Sequence, residues 1–374
     1  MNRRPSKSRS EFDAFSEESI RPFFASSPDA HFFDEQKKRS PLKTLLFILL
    51  ILIGIVFIAN TVINHFFFVR SIEIPITGLA QEFDGFRILQ ISDLKGKRFG
   101  AHQSQFRNTL GRLPFDAVLI TGDMVSEHGN AEPFYELLEV LHDLNPTAPV
   151  YFIAGDMDPE PASMSYAPGG SPFAPWILGA RQRRATYLSS PQVIERNEHR
   201  LWFLSLTSAT LDAPQLLPLY EQRLQNARSG GDENAIELAE FQLKTIQDSA
   251  SMRNSLRDGD VTIVLTHAPH TDVRRISSIL FPNTYPINVL LYGHTLGGLL
   301  RLPGIGPVFI PSATLPRYGL FPAASLIERP QQIDRTWIIP SNGLGDSDPQ
   351  YPSFFFRLFN PPTVNYLTLT TSSI

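Results

Sequence analysis

Acidic and histidine side chains follow five short apolar runs of this sequence, each at the point where the run ends. The runs and the residues that end them are ILQIS before Asp93, AVLITG before Asp123, YFIAG before Asp156, TIVLT before His267 and VLLYG before His294. A single Asp or His in such a place is more often a turn former, a helix cap or a structural histidine. Five in one pattern indicate a shared role, because carboxylates and imidazoles together bind divalent metal ions of hard to borderline character.

The apolar runs must be strands if they are to bring these side chains together. Runs of about four to eight apolar residues between turn signals are typical of strands buried on both faces, and in open α/β sheets reactive groups lie beyond the carboxyl ends of such strands. Helical patterns over 103–113 and 133–144 separate the first three strands, as in layered α/β proteins. The sequence therefore predicts an α/β fold with the five side chains along one rim.

Further patterns extend this fold on both sides. Pro75 favours an edge position for a strand over 70–76, because proline cannot donate to a central ladder. Additional strands are predicted over 201–206, 336–339 and 364–369, whereas residues 159–200 are rich in loop-forming residues. Two helices, over 215–227 and 234–256, are broken by Ser229-Gly230-Gly231. The second is amphipathic, which favours packing on the domain; as an alternative, this hairpin covers the site.

An apolar run near the N-terminus has the length of a membrane span. Residues 44–65 contain about twenty consecutive uncharged, mostly aliphatic and aromatic residues, enough to cross a hydrocarbon core as a helix. Four basic residues precede it: Lys37, Lys38, Arg39 and Lys43. Only Arg70 follows closely. By the positive-inside rule we expect a single-pass protein of the cell membrane, with residues 1–43 as a disordered cytoplasmic tail and the C-terminal domain outside the cytoplasm.

Two other interpretations of the apolar run were considered. A buried core helix would normally show an amphipathic pattern, and none is visible here. A cleaved signal peptide would have a short polar front and a small-x-small cleavage site after the apolar run. The polar segment before the apolar run is about forty residues long, and no clear cleavage site follows the run. An uncleaved anchor is therefore favoured.

Composition excludes several classes of function. The chain has 374 residues, of which 42% are hydrophobic, so it is long and apolar enough to fold around a core. Its net charge of −4 and the lack of a basic stripe interleaved with aromatic residues argue against a nucleic-acid partner. The sequence contains no Cys, which excludes disulfides, thiolate nucleophiles and cysteine-based zinc sites.

In order and spacing, the motifs resemble those of the calcineurin-like metallophosphoesterase superfamily, in particular its membrane-anchored bacterial phosphodiesterase-like branch. That family carries D-x-H, G-D, G-N-H-D/E, a lone His and G-H-T-H-G-G in this order. The matching segments here are Asp93-Leu94-Lys95, Gly122-Asp123, Gly155-Asp156-Met157-Asp158, Thr266-His267 and Gly293-His294-Thr295-Leu296-Gly297-Gly298. RLP at 301–303, SNGLG at 341–345 and RLFNPP at 357–362 also resemble the branch.

The resemblance implies a fold and its boundaries. We expect a sandwich of two mixed β-sheets flanked by helices, preceded by one transmembrane helix. The calcineurin-like phosphoesterase domain would span residues 70–372, with a helical insertion at about 214–257.

The resemblance also implies a damaged metal site. Intact members hold two metal ions about 3.5 to 4 Å apart, which bind the phosphate and activate a water for attack. Two ligand positions of the first metal carry Lys95 and Leu296 instead of histidines, whereas Asp93 and the shared Asp123 are present. The second metal retains its four positions, which are Asp123, Asp156, His267 and His294. Met157 occupies the position of the catalytic histidine, so the general acid is lost and no catalytic residue is assigned.

These substitutions predict a pseudoenzyme. We expect a membrane-anchored binding or scaffold module, or at most a weak one-metal hydrolase, with a metal-binding capacity of at most one divalent ion per chain (Mn, Fe or Zn) or none. Its expected partners are the membrane, through the N-terminal helix, and a phosphate-containing ligand. The alternative is an active metal-dependent phosphoesterase that acts on phosphodiesters, nucleotides or lipid-linked pyrophosphates at the cell envelope.

Lys95 suggests how the altered site balances its charge. An ammonium at the end of the strand that carries Asp93 would lie near the carboxylates of Asp93 and Asp123, where opposite charges favour its charged form. We therefore hypothesise that this cation replaces the missing metal ion. The alternative is that Lys95 extends into water, as long lysine side chains often do.

Overall fold

A computed structural model of the chain describes residues 40–125, 129–165, 171–268, 287–310, 319–322, 327, 329–345 and 357–372. Of the tail predicted over 1–43, residues 1–39 lie outside this described part, and residues 41–43 belong to the first helix. The chain divides into two compact units, Met1–Ile58 and Ala59–Ile374.

Of the first unit, the structure describes residues 40–58, which form most of helix α1. The helix runs from Pro41 to Ile63. This helix begins before the predicted residue 44 and ends two residues before 65. Within the described residues it is the one helix long and apolar enough to cross a membrane. Proline suits its first position, because the amide hydrogen that proline lacks would have no intrahelical partner there.

The second unit contains the strands, which form two six-stranded sheets and one small hairpin. The strands are β1 (Phe68–Thr77), β2 (Arg87–Ile91), β3 (Ala117–Ile120), β4 (Val150–Phe152), β5 (Ala185–Tyr187), β6 (Gln192–Arg196), β7 (His199–Ser205), β8 (Val261–Thr266), β9 (Val289–Tyr292), β10 (Leu300–Leu302), β11 (Gly306–Phe309), β12 (Gln331–Ile333), β13 (Thr336–Pro340) and β14 (Thr363–Ser372). The first sheet has the order β1-β14-β2-β3-β4-β5 and the second β12-β13-β9-β8-β7-β6, while β10 and β11 pair with each other.

Most of the described helices of this unit pack on the outer faces of the sheets. The helices are α2 (Ser104–Leu110), α3 (Glu132–Leu144), α4 (Pro175–Gln182), α5 (Leu206–Thr210), α6 (Ala213–Gly230) and α7 (Glu233–Ser255), with short 3-10 turns at Gln81–Phe83 and Ala101–Gln103. Of these, α6 packs on α7. The predicted helix over 103–113 is thus shorter, and α4 lies in the stretch that the sequence indicated as loop-rich.

Both sheets are mixed, which confirms the predicted fold class. β2, β3, β4 and β5 are parallel and β14 runs antiparallel to β2, while β7, β8, β9 and β13 are parallel and β6 and β12 are antiparallel to their neighbours. β1 lies at an edge beside β14, as the proline in its sequence predicts.

The core has one layer between the sheets and one layer outside each of them. Ile88 and Phe203 pack between the two sheets, whereas the neighbouring Leu89 packs under α2 and α3. Residues on both faces of β2 are therefore buried, and this explains why such strands show continuous apolar runs instead of alternation. The parallel strands end together at one rim of each sheet, and the candidate site is built there.

Candidate metal centre

The rim brings together the five side chains that the sequence singles out. Two groups of three have one ligand atom each within 4.8 Å of the others: Asp156 with His267 and His294, and Asp93 with Asp123 and His267. Carboxylate and imidazole ligands in such a group are a donor set for divalent ions such as Zn²⁺, Mn²⁺ or Fe²⁺. His267 is a member of both groups.

The backbone turns out of the strands in the left-handed conformation at these positions. φ is 54° at Asp93, 51° at Lys95, 55° at Asp123, 63° at His294 and 52° at Leu296. Asp and His are several-fold enriched in this region among residues other than glycine, whereas Lys and Leu are not. Lys95 and Leu296 thus adopt a backbone conformation that is unfavourable for their residue types.

His267 is oriented by the backbone of a neighbouring strand end. It is 5% exposed, and its Nδ1 lies 2.7 Å from the carbonyl oxygen of Thr121. A carbonyl only accepts, so Nδ1 carries the hydrogen. Nε2 lies 3.2 Å from Oδ2 of Asp123, but without hydrogen-bond geometry, and it has no hydrogen-bond partner among the described residues. A donated Nδ1 hydrogen is the usual support of a metal-binding histidine, because it fixes the tautomer and points Nε2 at the ion.

Asp123 lies at the centre of the charges at the rim. Its Oδ1 accepts a hydrogen bond of 2.9 Å from the amide of Met157, and its Oδ2 lies 3.6 Å from Nζ of Lys95. Burial raises the pKa of Asp123, but the contact with His267 and the charges of His267 and Lys95 outweigh it and lower the pKa to about 2. The carboxylate is therefore ionised at every physiological pH.

In the metal-free protein, His267 is protonated and balances the charge of the Asp123 carboxylate. Burial lowers the pKa of His267, but the contact with Asp123 and the charges of Asp123 and Asp93 raise it to about 9 overall. An imidazolium and a carboxylate consequently face each other when no ion is bound. A metal ion at Nε2 would displace this proton, because only the neutral ring is a ligand.

Asp93 has one satisfied and one unsatisfied oxygen. Its Oδ2 accepts from Oγ of Ser92 at 2.6 Å and from the amide of His294 at 3.2 Å. Its Oδ1 is buried and has no hydrogen-bond partner among the described residues. Gly293 allows this approach of two strand ends, since a side chain there would collide with Oγ of Ser92 and with Asp93.

These unsatisfied atoms show that the residues fit a cation. Buried carboxylate oxygens and imidazole nitrogens without partners are rare, because each costs desolvation free energy. Oδ1 of Asp93 is of this kind, and Nε2 of His267 has only its ion-pair contact with Asp123. A divalent ion at the rim would satisfy Nε2 in either group of three.

The outer part of the site is formed by His294 and Asp156. Nδ1 of His294 lies 3.3 Å from Oδ2 of Asp156, whose side chain is 64% exposed. The hydrogen bond from His294 lowers the pKa of Asp156. The rings of His267 and His294 are nearly perpendicular with centroids 5.3 Å apart. This group is therefore open to solvent on one side, as a ligand-binding metal site requires.

The inner part of the site is filled by Lys95 and Leu296. The Lys95 side chain is 8% exposed, so it points inward and does not extend into water. Leu296 is 4% exposed, and a side chain on Gly343 would come within 2.7 Å of its Cδ2. An ammonium and an isobutyl group thus occupy the inner part of the site.

A cavity of about 360 Å³ opens beside His267. Strand ends and loops form its floor and the helices α6 and α7 cover it, with Tyr220, Phe241, Gln242 and Thr245 among the covering residues. Oε1 of Gln242 is buried without a hydrogen-bond partner among the described residues. The helical pair therefore encloses space next to the rim, in line with the alternative role that the sequence leaves open for it.

Two supporting residues were not singled out from the sequence. Asp158 accepts hydrogen bonds from the amides of Val125 and Gly155, and burial raises its pKa to about 7. Arg357 is fully buried, and its guanidinium donates to five carbonyl oxygens, those of Leu296, Asn342, Gly343, Gly345 and Asn360. The Asp-x-Asp spacing and the RLFNPP segment were the available signals, but neither reveals a backbone partner.

Comparisons with known proteins give a family match for the part of the chain that carries these residues. The family model described as calcineurin-like phosphoesterase matches residues 86–298, which is more than half of the chain and includes both groups of candidate ligands. A search of curated proteins gave no match.

Two solved structures are among those similar to this chain. Phosphopantetheinyl hydrolase (PptH) from Mycobacterium tuberculosis is 12% identical, with 72% of this chain and 99% of that chain covered and a TM-score of 0.35. A protein assigned as a 5′-nucleotidase from Staphylococcus aureus, solved with α-ketoglutarate, is 8% identical, with 78% of this chain and 55% of that chain covered and a TM-score of 0.33. Similarities this low carry no information about function.

Proposed function

The chain belongs to the calcineurin-like phosphoesterase family, and from this premise we propose that it is a membrane-anchored member whose two-metal site has been reduced. In this proposal the domain binds a phosphate-containing ligand at a site with at most one divalent ion, and it hydrolyses phosphate esters weakly or not at all. It acts at the membrane as a binding or scaffold module.

The observation that carries this proposal is the burial of Lys95 against Asp123. The ammonium lies 3.6 Å from Oδ2 of Asp123 with its side chain 8% exposed. A cation in that place occupies the electrostatic role of a metal ion but supplies no open coordination position. It therefore neutralises the carboxylate without polarising a phosphate or lowering the pKa of a water.

The geometry of His267 supports the limit of one ion. Its Nδ1 is committed to the carbonyl of Thr121, so only Nε2 is available as a ligand atom. Both groups of three need that nitrogen. An ion in one group leaves the other with two ligands. Asp156, His267 and His294 would hold the ion, with Asp123 as a further ligand, and the ion would act as a Lewis acid on a phosphate oxygen.

Met157 supports weak or absent hydrolysis. Its thioether cannot donate a proton to a leaving group, and its amide is already used to hold Asp123. Loss of a positioned general acid typically costs about 10² to 10⁴ in rate. The chain's own residues can thus bind and orient a phosphate group at the open side of the rim, where Asp156 is exposed, but they provide no proton for departure of an alcohol.

Elemental analysis of the purified full-length chain in detergent tests the metal content. The proposal expects at most one equivalent of Mn, Fe or Zn after dialysis against a dilute supply of these ions. Asp123→Ala serves as the metal-poor reference. Two equivalents in the parent, both lost in Asp123→Ala, would overturn the proposal.

The organisation of the chain is part of the proposal. We propose a tail over 1–43, a membrane span over 44–65 and a phosphoesterase domain over 70–372 whose helical insertion lies at about 214–257. The apolar character of α1 supports the span, and the basic residues before it favour an external domain. Protease added to intact cells or spheroplasts should remove the domain while a cytosolic protein survives, whereas a protected domain would contradict this topology.

An active phosphoesterase is the second candidate function, and one observation favours it. Asp93, Asp123 and His267 form a buried group of potential ligands. His267 also lines the 360 Å³ cavity, so an ion bound by this group would lie next to a substrate in the cavity. Phosphodiesters, nucleotides and lipid-linked pyrophosphates are then candidate substrates. Turnover of a chromogenic phosphodiester by the unmodified chain with Mn²⁺, abolished in His267→Ala, would favour this second function.

A further inference from the structure

Exposed apolar side chains are concentrated in one place on the second unit. The large apolar residues after residue 70 that are exposed in the described part of the chain are Met164, Val193, Leu219, Leu302, Ile305, Leu320, Phe321 and Phe359. Single exposed apolar residues are normal, but a cluster marks an interaction surface. Five of these eight belong to neighbouring segments and are called the hairpin patch here: Leu302, Ile305, Leu320, Phe321 and Phe359.

Backbone pairing holds the hairpin patch together. β10 and β11 form an antiparallel hairpin whose tip carries Ile305, the most exposed member at 67%. The amide of Phe321 donates to the carbonyl of Val308 at 2.8 Å, which adds residues 320–321 to the β11 side. The amide of Arg301 donates to the carbonyl of Leu358 at 3.1 Å, which adds Phe359 to the β10 side. The patch is therefore part of an ordered ribbon.

Two arginines accompany the apolar side chains. Arg301 and Arg329 line a surface cavity of about 420 Å³ together with Leu302, Ile305 and Phe359, and none of the described residues that line it is acidic. A guanidinium pairs with phosphate oxygens through two parallel hydrogen bonds. Apolar side chains beside such cations are typical of surfaces that rest at the boundary between lipid headgroups and acyl chains.

The hairpin patch is tied to the end of the apolar helix. The amide of Phe359 donates to Oδ1 of Asn60 at 2.9 Å. Nδ2 of Asn60 and Nδ2 of Asn64 both donate to the carbonyl of Arg357, at 2.7 and 2.9 Å. Asn60 lies in the last turn of α1 and Asn64 directly after it. Asn60 and Asn64 belong to the second unit, as the patch does, so the patch lies beside the end of α1, where a membrane span formed by this helix would leave the hydrocarbon core.

We propose that the hairpin patch rests in the interfacial layer of the membrane that α1 enters, with Arg301 and Arg329 against the phosphates of anionic lipids. The domain then has a second membrane contact besides its anchor. The exposed rings of Phe66 and Phe68, which follow α1, suit the same layer, in which aromatic residues are enriched. This inference rests on the proposed membrane anchor but not on the chemistry of the metal centre.

The absence of native cysteine provides a clean test. Single cysteines are introduced into the full-length chain as Ile305→Cys and Phe321→Cys and labelled with a nitroxide. Two reference variants use residues of similar exposure: Leu219→Cys on α6, where Leu219 is 63% exposed, and Phe47→Cys on α1, where Phe47 is 61% exposed. The labelled chains are reconstituted into bilayers that contain phosphatidylglycerol, and power saturation measures collisions with oxygen and with an aqueous nickel chelate.

The proposal expects graded ratios of oxygen to nickel collisions. The ratio should be highest at position 47, low at position 219, and several-fold above that of position 219 at positions 305 and 321. Equal ratios at 219, 305 and 321, with position 47 in the hydrocarbon, would overturn the patch and leave the anchor intact. Shielding of 305 and 321 from both reagents would mean that a protein or a second copy covers them, which also overturns it. Position 47 outside the hydrocarbon would overturn the anchor and the patch together.

The lipid charge and Arg329 test the electrostatic part. Replacing phosphatidylglycerol with phosphatidylcholine should lower the collision ratio at position 305, and Arg329→Gln should lower it in the anionic bilayer but much less in the neutral one. Arg329 is chosen because Arg301 also donates to the carbonyl of Gly297, so its replacement would disturb the loop of the metal centre. A ratio insensitive to both changes would overturn the role given to the arginines.

Discussion

The inner and outer halves of the metal centre differ in the groups that face their carboxylates. In the outer half, His267 and His294 lie close to Asp156, and the group is partly open to solvent. In the inner half, the carboxylate of Asp123 is met by the buried ammonium of Lys95. Both halves keep left-handed backbone at the strand ends, with φ of 63° at His294 and 51° at Lys95.

This difference shows that the same backbone conformation at a strand end carries a histidine in one half and a lysine in the other. A left-handed residue other than glycine costs on the order of 1 kcal/mol or more, and Lys95 and Leu296 bear this cost without the preference that His has for the region. The sandwich around the rim is rigid enough to impose it. The backbone at positions 95 and 296 is therefore already suited to histidine, so histidines introduced there should be accommodated.

The largest expected effect is an increase in phosphodiester hydrolysis when histidines are introduced into the inner half. Changing Lys95→His, Leu296→His and Met157→His together supplies the missing ligands and a general acid, and should raise the hydrolysis of a chromogenic phosphodiester with Mn²⁺ by about 10² to 10⁴. Initial rates of the full-length chain in detergent measure this. Met157→His alone is the control and should gain little, because it lacks the second ion. A parent chain that is already as fast as the triple variant would refute the proposed loss of function.

The outer half should lose most of its metal affinity when His267, the ligand shared by both groups of three, is removed. His267→Ala should weaken Mn²⁺ binding by about 100-fold or more, since loss even of groups that only orient a ligand costs 10- to 100-fold. Isothermal titration calorimetry of the full-length chain provides the affinity. His199→Ala is a matched control, because His199 is exposed and lies at the start of β7, away from the rim, with Glu82 as its neighbour. Equal affinities in the two variants would show that the ion binds elsewhere.

The pH dependence of metal affinity should report the proton of His267. In the metal-free protein this histidine has a pKa raised to about 9, so one proton must leave on binding. The affinity for Mn²⁺ should therefore rise about tenfold per pH unit from pH 7 towards 9 and then level off. Asp123, with its pKa lowered to about 2, adds no slope there. Affinities measured at several pH values test this, and a flat profile would mean that His267 is not a ligand.

The same proton has the opposite effect on the stability of the metal-free protein. A pKa of about 9 in the folded state lies above the ordinary value of 6.5. The stabilisation from protonated His267 is therefore fully present below about pH 6.5 and is lost as the pH rises to 9. Thermal melting without metal should show this decline in the parent, whereas His267→Gln should lack it.

The smallest effect concerns Lys95. Lys95→Met removes the cation that faces Asp123 and should destabilise the metal-free chain by on the order of 1 to 3 kcal/mol. Added Mn²⁺ should restore part of this loss, because an ion supplies the missing positive charge. Lys97→Met is the control, since Lys97 contacts the carbonyl of Asn64 and the ring of Phe99 instead. If Lys95→Met melted like the parent with or without metal, the ammonium would not replace an ion.

The parts of the molecule that the sequence predicts are those governed by burial. The parallel strands are buried on both faces, so their runs are continuously apolar and their ends can be read from Asp93, Asp123 and His294. The proline of β1 marks an edge for an equally simple reason, the missing amide hydrogen. α4 was missed because it is short and lies among prolines, although Pro175 at its start is itself a helix signal.

The remainder depends on partners that are distant in the chain and carry no pattern. Thr121 orients His267 through a backbone carbonyl, which any residue could provide. Arg357 is buried because its guanidinium donates hydrogen bonds to carbonyl oxygens of several loops, although arginine is usually a surface residue. Asn60 lies in an apolar helix, and only the structure reveals its bonds to the segment at Arg357 and Phe359. Such contacts follow from the fold and cannot be read from spacing.

The order of strands in the first sheet governs when the domain can be completed during synthesis. Among the strands that the structure describes, β14 comes latest in sequence, yet it lies between β1 and β2. Until Thr363–Ser372 have emerged, β1 lacks its partner and β2 has an open edge, which is prone to pairing with other chains. In the proposed topology the growing chain must therefore avoid aggregation until β14 has been made, and removing the ten residues of β14 would leave β1 without its partner strand.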